Sequence, residues 1–195
     1  MKTLTMPLTE DCVRSLALGE SVSLNGTIHT ARDAVHHRLA TGSGPLPAGL
    51  DLCSAVLYHC GPVVVKANGR WRVTAAGPTT SMREEPYMAD IIREYGIKGI
   101  IGKGGMGAKT AAACREYGCV YLHAVGGAAQ VLADSIVEVK DVFFLEEFGA
   151  PEAVWVMQVK DFPAIVTMDA AGQSLHAKVQ TESRQKLEGL VGRGQ

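Results

Sequence analysis

No stretch of this chain reaches the roughly 18 consecutive apolar residues that a membrane helix needs, so no bilayer-spanning helix is predicted. No two of its five cysteines (Cys12, Cys53, Cys60, Cys114 and Cys119) form a CxxC, and an odd number cannot all pair. Neither a disulfide framework nor a common zinc template is therefore expected, and no metal ligand is assigned in this chain. Net charge is nearly absent: 19 Lys and Arg stand against 20 Asp and Glu, a net of −1. That excludes a wide basic surface for nucleic acid. The N-terminal MKTLTMPLTEDC lacks the apolar core and small-residue cleavage site of a secretory signal, so a cytoplasmic protein with reduced thiols is expected. The phosphate-loop fingerprint (GxxxxGK[ST]) is missing too, and there is no internal repeat or low-complexity linker.

What is present suffices for a single domain over residues 1–195, with 47% hydrophobic residues to fill a core. Residues 21–24 and 27–30 alternate as strands do, interrupted by Asn25-Gly26. Residues 31–39 have helical spacing, with Ala31, Val35 and Leu39 on one face. A Gly/Pro-rich loop, a short apolar strand (54–58) and a hairpin about Asn68-Gly69 follow. The middle then alternates helix and strand: helix 87–95, strand 97–101, helix 108–117, strand 120–123, and a third helix from about 126. After Ser135 the pattern returns to strands (IVEV, VFFLEEF, AVWVMQV, PAIVTMDA), with Asp161 and Asp169 as turn residues. A polar helix closes the chain, its tail expected to fray from about 183. This order predicts an α/β domain, a parallel or mixed sheet covered by helices.

Three segments concentrate reactive groups. In Thr30-Ala31-Arg32-Asp33, a threonine cap and a first-turn aspartate are explained by helix initiation, whereas Arg32 is not. Arg32 is a candidate anion ligand at a helix N-terminus. His36 and His37 follow one turn on as candidates for proton transfer, and only one of two adjacent residues can face a given site. The second segment is Gly77-Pro78-Thr79-Thr80-Ser81-Met82-Arg83. A capping box with Glu84 or Glu85 accounts for one hydroxyl and leaves the others, with Arg83, for a ligand. The third is Gly102-Lys103-Gly104-Gly105-Met106-Gly107, after a buried strand and before a helix, where open α/β sheets bind ligands. Its glycines allow close backbone approach to a compact anion, and Lys103 supplies a point charge. Hydroxyls, an arginine fork and a lysine beside bare backbone are what a protein offers to carboxylates or phosphates, and together they suit a small dianion. The glutamates Glu146, Glu147 and Glu152 read as solvated loop charges.

Six ordered motifs, GTIHTARDAVHHRL, YHCGPVV, AAGPTTSMR, GIKGIIGKGGMG, YLHAVGGAAQVLADSI and LEEFGAPEAVWVMQVKDFPAIVTMDAAGQSL, run almost end to end. Through them the chain resembles the β subunit of two-subunit class I (iron–sulfur) fumarases and of L(+)-tartrate dehydratase, which is the C-terminal domain of single-chain class I fumarases. The resemblance implies a three-layer swivelling β/β/α domain. It implies reversible hydration of fumarate to L-malate or, in the other branch, dehydration of tartrate to oxaloacetate. It also implies a [4Fe-4S] cluster held by a separate α subunit, an α2β2 heterotetramer, and an active site shared between the subunits. By the same resemblance Arg32, Thr79, Thr80, Arg83, Lys103 and Gly104 would hold the substrate carboxylates. Thr79 would be a candidate for proton transfer at carbon, and His36 a helix histidine behind it. Arg83-Glu84-Glu85 departs from the Arg-Met-Asp frequent in fumarases, and the SMR and GKGGMG sequences stand closer to the tartrate dehydratase branch. A stand-alone dicarboxylate-binding or regulatory domain is the alternative from another class.

Overall fold

The computed structural model describes residues 1–191. Its elements, in chain order, are β1 (Lys2–Thr5), α1 (Glu10–Arg14), β2 (Ser21–Thr30), α2 (Asp33–Thr41), β3 (Val56–Tyr58), β4 (Val63–Ala67) and β5 (Arg70–Ala75). A 3-10 turn at Ser81–Glu84 then leads into α3 (Glu85–Tyr95), followed by β6 (Gly99–Gly102), α4 (Ala108–Tyr117) and β7 (Val120–His123). The chain ends with α5 (Ala129–Asp134), β8 (Ile136–Phe143), α6 (Leu145–Phe148), β9 (Val154–Met168) and α7 (Leu175–Val191). Helices α2, α3 and α4 each stop at a glycine in the left-handed conformation: Gly42, Gly96 and Gly118.

Seven strands form one mixed sheet in the order β1-β2-β3-β6-β7-β9-β8. The four strands β2, β3, β6 and β7 run parallel to one another, and β9 runs antiparallel to β7. Because β9 also pairs antiparallel with β2, five strands close into a ring. β4 and β5 form a separate hairpin. One core cluster, which includes Leu24, Tyr58, Trp155, Met157 and Phe162, fills the side shared with the hairpin and α5. The other, with Leu57, Ile91, Ile92, Ile100 and Tyr121, lies between the sheet and helices α2, α3 and α4. The short strands β3 and β6 are buried along their whole length, as expected of parallel strands covered on both faces.

The structure departs from the sequence reading in three places. Asn25-Gly26 does not interrupt a strand: β2 is continuous and absorbs Gly26, at φ +120°, as a register shift between Leu24 and Gly26. Asp161 likewise lies inside the 15-residue β9 at a positive φ, a bulge rather than a turn between two strands. VFFLEEF divides at Phe144, its first part completing β8 and its last turning into α6. The last helix is continuous to Val191, so residues 183–191 are helical, and the remainder of the expected frayed tail lies outside the described residues.

Candidate functional site

Three chemistry-bearing segments leave the sheet at the same end because the strands that deliver them are parallel neighbours. β2 ends at Thr30 and leads to Arg32, β3 ends at Tyr58 and leads to His59, Cys60 and Gly61, and β6 leads to Lys103. This is the carboxyl edge of the strands, where open sheets place their ligands. The GPTT segment is bound there by its backbone. The Thr79 N–H donates to the His59 carbonyl at 2.7 Å, the Lys103 N–H to the Thr79 carbonyl at 3.3 Å, and the Ser81 N–H to the Lys103 carbonyl at 3.0 Å. Thr80 and Lys103 thus form an isolated parallel bridge, and two motifs more than twenty residues apart become one ledge. The Thr79 hydroxyl donates to the His59 carbonyl at 3.1 Å, which leaves its oxygen lone pairs to accept from a ligand. Lys103 makes no ion pair among the described residues, and Gly104 is exposed beside a groove of about 640 Å³ that runs toward His176 at the start of α7.

The two arginines meet through one carboxylate. Arg83 pairs with Asp33, and the Arg32 guanidinium lies 3.9 Å from the same Asp33 oxygen. Arg32 also reaches Glu152 at 3.3 Å and the Pro151 carbonyl at 3.4 Å, so this glutamate is a guanidinium partner and not a solvated loop charge. Glu152 further accepts from the Ala34 N–H at 3.0 Å, supplying the cap that Thr30 does not. The Thr30 hydroxyl is spent on the Ala153 carbonyl and the Trp155 N–H. Gly61 is what lets Arg32 lie flat against the β3 exit. A Cβ there would stand 2.6 Å from Arg32 Nη1 and 2.6 Å from the Pro151 carbonyl oxygen.

Beneath this polar surface lies a buried layer of titratable groups. His36, His59, Ser81 and Glu84 are all fully buried, and so is Tyr121. His36 Nδ1 is 2.8 Å from the Arg32 carbonyl, which can only accept, so Nδ1 carries the proton of the neutral ring. The His59 ring stands edge-on to it at 4.8 Å between centroids, and His59 Nδ1 is 2.9 Å from the Ser81 hydroxyl, which also receives the Tyr121 hydroxyl at 2.9 Å. Burial drives His36 down to about 4 and His59 well below the usual histidine value, so both rings are neutral at pH 7. Glu84 Oε2 lies 3.5 Å from His36 Nδ1, and neither carboxyl oxygen has a hydrogen-bond partner among the described residues. Burial first, and then the neighbouring Asp33, pushes Glu84 up to about 8, against the pull of Arg83.

Of the residues singled out in the sequence, Thr79, Thr80, Arg83, Lys103 and Gly104 come together on the ledge, and Arg32 joins them through Asp33. His36 lies under the ledge, while its neighbour His37 is exposed and packs against Tyr87. The capping box is not formed: Thr80 makes no cap bond, and Ser81 is tied up below. The adjacent glutamates divide the work. Glu84 is buried, and Glu85 caps α4 instead, accepting from the N–H groups of Gly107, Lys109 and Thr110 and from the Thr110 hydroxyl. The sequence reading missed His59, Glu84, Asp33 and Glu152 as members of the site. The end of the parallel strand β3 brings His59 near the arginines, and the antiparallel pairing of β9 with β2 brings Glu152 there.

The Fumarase C-terminus family matches residues 2–179. The chain belongs to that family. It is 52% identical over 95% of its length to a Geobacillus stearothermophilus protein assigned as a class I fumarate hydratase, of which it spans 35%. It is 41% identical, over 95% of its length and 96% of the relative's, to a Methanocaldococcus jannaschii protein assigned as the β subunit of an L(+)-tartrate dehydratase. To the β subunit of Escherichia coli K12 L(+)-tartrate dehydratase it is 36% identical over 91% of its own length and 87% of the relative's. The chain therefore spans about a third of the first relative and nearly the whole of the other two.

Proposed function

We propose that this chain is the β subunit of a two-subunit hydro-lyase that adds water reversibly across the double bond of fumarate, and that it supplies the carboxylate-binding half of a shared active site. The observation that carries the proposal is the backbone pairing of Thr80 with Lys103. It sets hydroxyls, an arginine and a lysine on one ledge at the carboxyl edge of parallel strands, with Arg32 beside them. Family membership supports the reaction class, and the β-subunit names of the two tartrate dehydratase relatives support a chain that works with a separate α subunit.

In this reading Arg32 and Arg83 each bind one substrate carboxylate, exchanging the internal Asp33 and Glu152 contacts for charge-assisted bonds to the ligand. Lys103 adds a third positive charge, and Thr79 orients the substrate through its free lone pairs. Among the described residues the Thr79 hydroxyl meets no base and directs its proton to a backbone carbonyl, so in this reading Thr79 binds the substrate, and proton transfer at carbon would need a relay to activate it. The [4Fe-4S] cluster belongs, in this proposal, to the α subunit, where it acts as a Lewis acid toward a substrate oxygen. This chain does not fit such a cluster: among the described residues no group of three or more His, Cys, Asp or Glu could hold a metal ion, and Cys60, Cys114 and Cys119 are buried in the core. The fold is inferred to be the three-layer swivelling β/β/α type, the complex an α2β2 heterotetramer and its compartment the cytoplasm.

Dehydration of L(+)-tartrate to oxaloacetate is the second reading. It is favoured by the β-subunit relatives that match this chain over most of their length. Turnover of fumarate and of tartrate by the chain combined with its α subunit decides between them. Robust turnover by the chain alone would overturn the shared-site proposal, and binding without turnover in the complex would favour a stand-alone dicarboxylate-binding domain.

A further inference from the structure

Glu84 is a carboxyl group with no counter-charge of its own. Its side chain is fully buried, neither oxygen meets a hydrogen-bond donor among the described residues, the neighbouring Asp33 is a second carboxyl that favours the protonated form, and the nearby ring nitrogen, His36 Nδ1, has already committed its proton to the Arg32 carbonyl. The groups around it come from every packed element: Arg32, Asp33 and His36 from the start of α2, Arg83 from its own turn, Glu152 from the loop before β9, and His59 beyond His36. Asp33 occupies the Arg83 guanidinium, and Asp33 and Glu152 share that of Arg32. An ionised Glu84 would thus be a desolvated charge with no hydrogen-bond donor among the described residues, a state that proteins avoid by keeping the proton. The ledge above carries three cations (Arg32, Arg83, Lys103) against two carboxylates (Asp33, Glu152). Ionising Glu84 would bring the cluster to neutrality and place a negative charge directly under an incoming dianion.

We propose that Glu84 is a proton-linked positioning residue: the clamp takes up a dicarboxylate with Glu84 protonated, and loss of that proton to solvent weakens the grip. This deepens the carboxylate-binding reading and rests on it. The consequence is a specific pH dependence of anion affinity that a structural buried carboxyl would not produce. Proton and anion binding are reciprocal, so the dicarboxylate must also raise the affinity of Glu84 for its proton.

The test uses succinate, a saturated dicarboxylate that cannot be hydrated, titrated into the chain and its Glu84→Gln variant from about pH 6.5 to about pH 9.5 and followed by NMR. Wild-type affinity is expected to fall by about tenfold over the last one to two pH units, while the Gln variant, which mimics the protonated acid, changes less than about threefold. With the glutamate carboxyls labelled in carbon-13, the Glu84 resonance should titrate far above the ordinary glutamate value and higher still with succinate bound. A pH-independent affinity, the same pH profile in Glu84→Gln, or no succinate binding at any pH would each overturn the proposal. Turnover of fumarate and tartrate by the complex is read separately. Intact pH-linked succinate binding with no turnover would sink the hydro-lyase reading alone.

Discussion

Replacing Glu84 by Gln should change not only the stability of this protein but its slope against pH. The folded carboxyl titrates at about 8 and the unfolded one at 4.5, so between those values the unfolded chain holds one proton fewer at this position. Stability then falls as pH rises, by about 1.4 kcal/mol per pH unit, and the whole window corresponds to about 5 kcal/mol, a ceiling that local relaxation lowers. Gln is nearly isosteric with the protonated acid and has no proton to lose. The variant should therefore match the wild type within about 1 kcal/mol at pH 5 and exceed it by a few kcal/mol at pH 8. Urea unfolding of both proteins at four pH values between these limits measures the difference. His36 and His59 titrate in both proteins and cancel in the subtraction. A stability difference that stays constant across the window would refute the buried-acid account.

The histidines act in the opposite direction on the acid side. Their folded pKa values are depressed, His36 to about 4, so the stability present above 6.5 should be lost as pH falls toward 4, and His36→Gln should flatten that loss in acid-unfolding curves. Glu85→Ala removes the acceptor of three backbone N–H groups at the start of α4 and should cost about 1–3 kcal/mol by urea unfolding. A cost below about 0.5 kcal/mol would show that water replaces the cap. Gly61→Ala drives a methyl group into Arg32 and the Pro151 carbonyl, and in the complex it should raise KM more than it lowers kcat. Arg83→Ala and Lys103→Ala should each lower kcat/KM by about ten- to hundredfold while the subunits still assemble, as judged by gel filtration.

The parts of the fold that could be read from sequence are those governed by local rules. Helices α2, α3 and α4 show themselves by apolar spacing and a terminal glycine, and the Asn68-Gly69 hairpin by its turn. The bulges at Gly26 and Asp161 look like turns in the sequence because both residues favour turns. The long pairing of β2 with β9, which no local pattern reveals, keeps both strands continuous through them. Thr79, Arg83 and Lys103 could be named because their residue types are conspicuous beside glycines. Glu84 and Glu85 are indistinguishable in sequence. Their opposite fates depend on which side of the 3-10 turn faces α2 and which faces the N-terminus of α4. Asp33 has the sequence signature of a first-turn helix residue, and nothing local shows that it joins two arginines fifty-one positions apart.

The most direct test of the central claim is to combine the purified chain with the proposed α subunit and follow fumarate hydration and tartrate dehydration, with each subunit alone as control. The account predicts turnover only in the mixture, lost when Arg83 and Lys103 are both replaced by Ala. Equal turnover by the α subunit without this chain would contradict it.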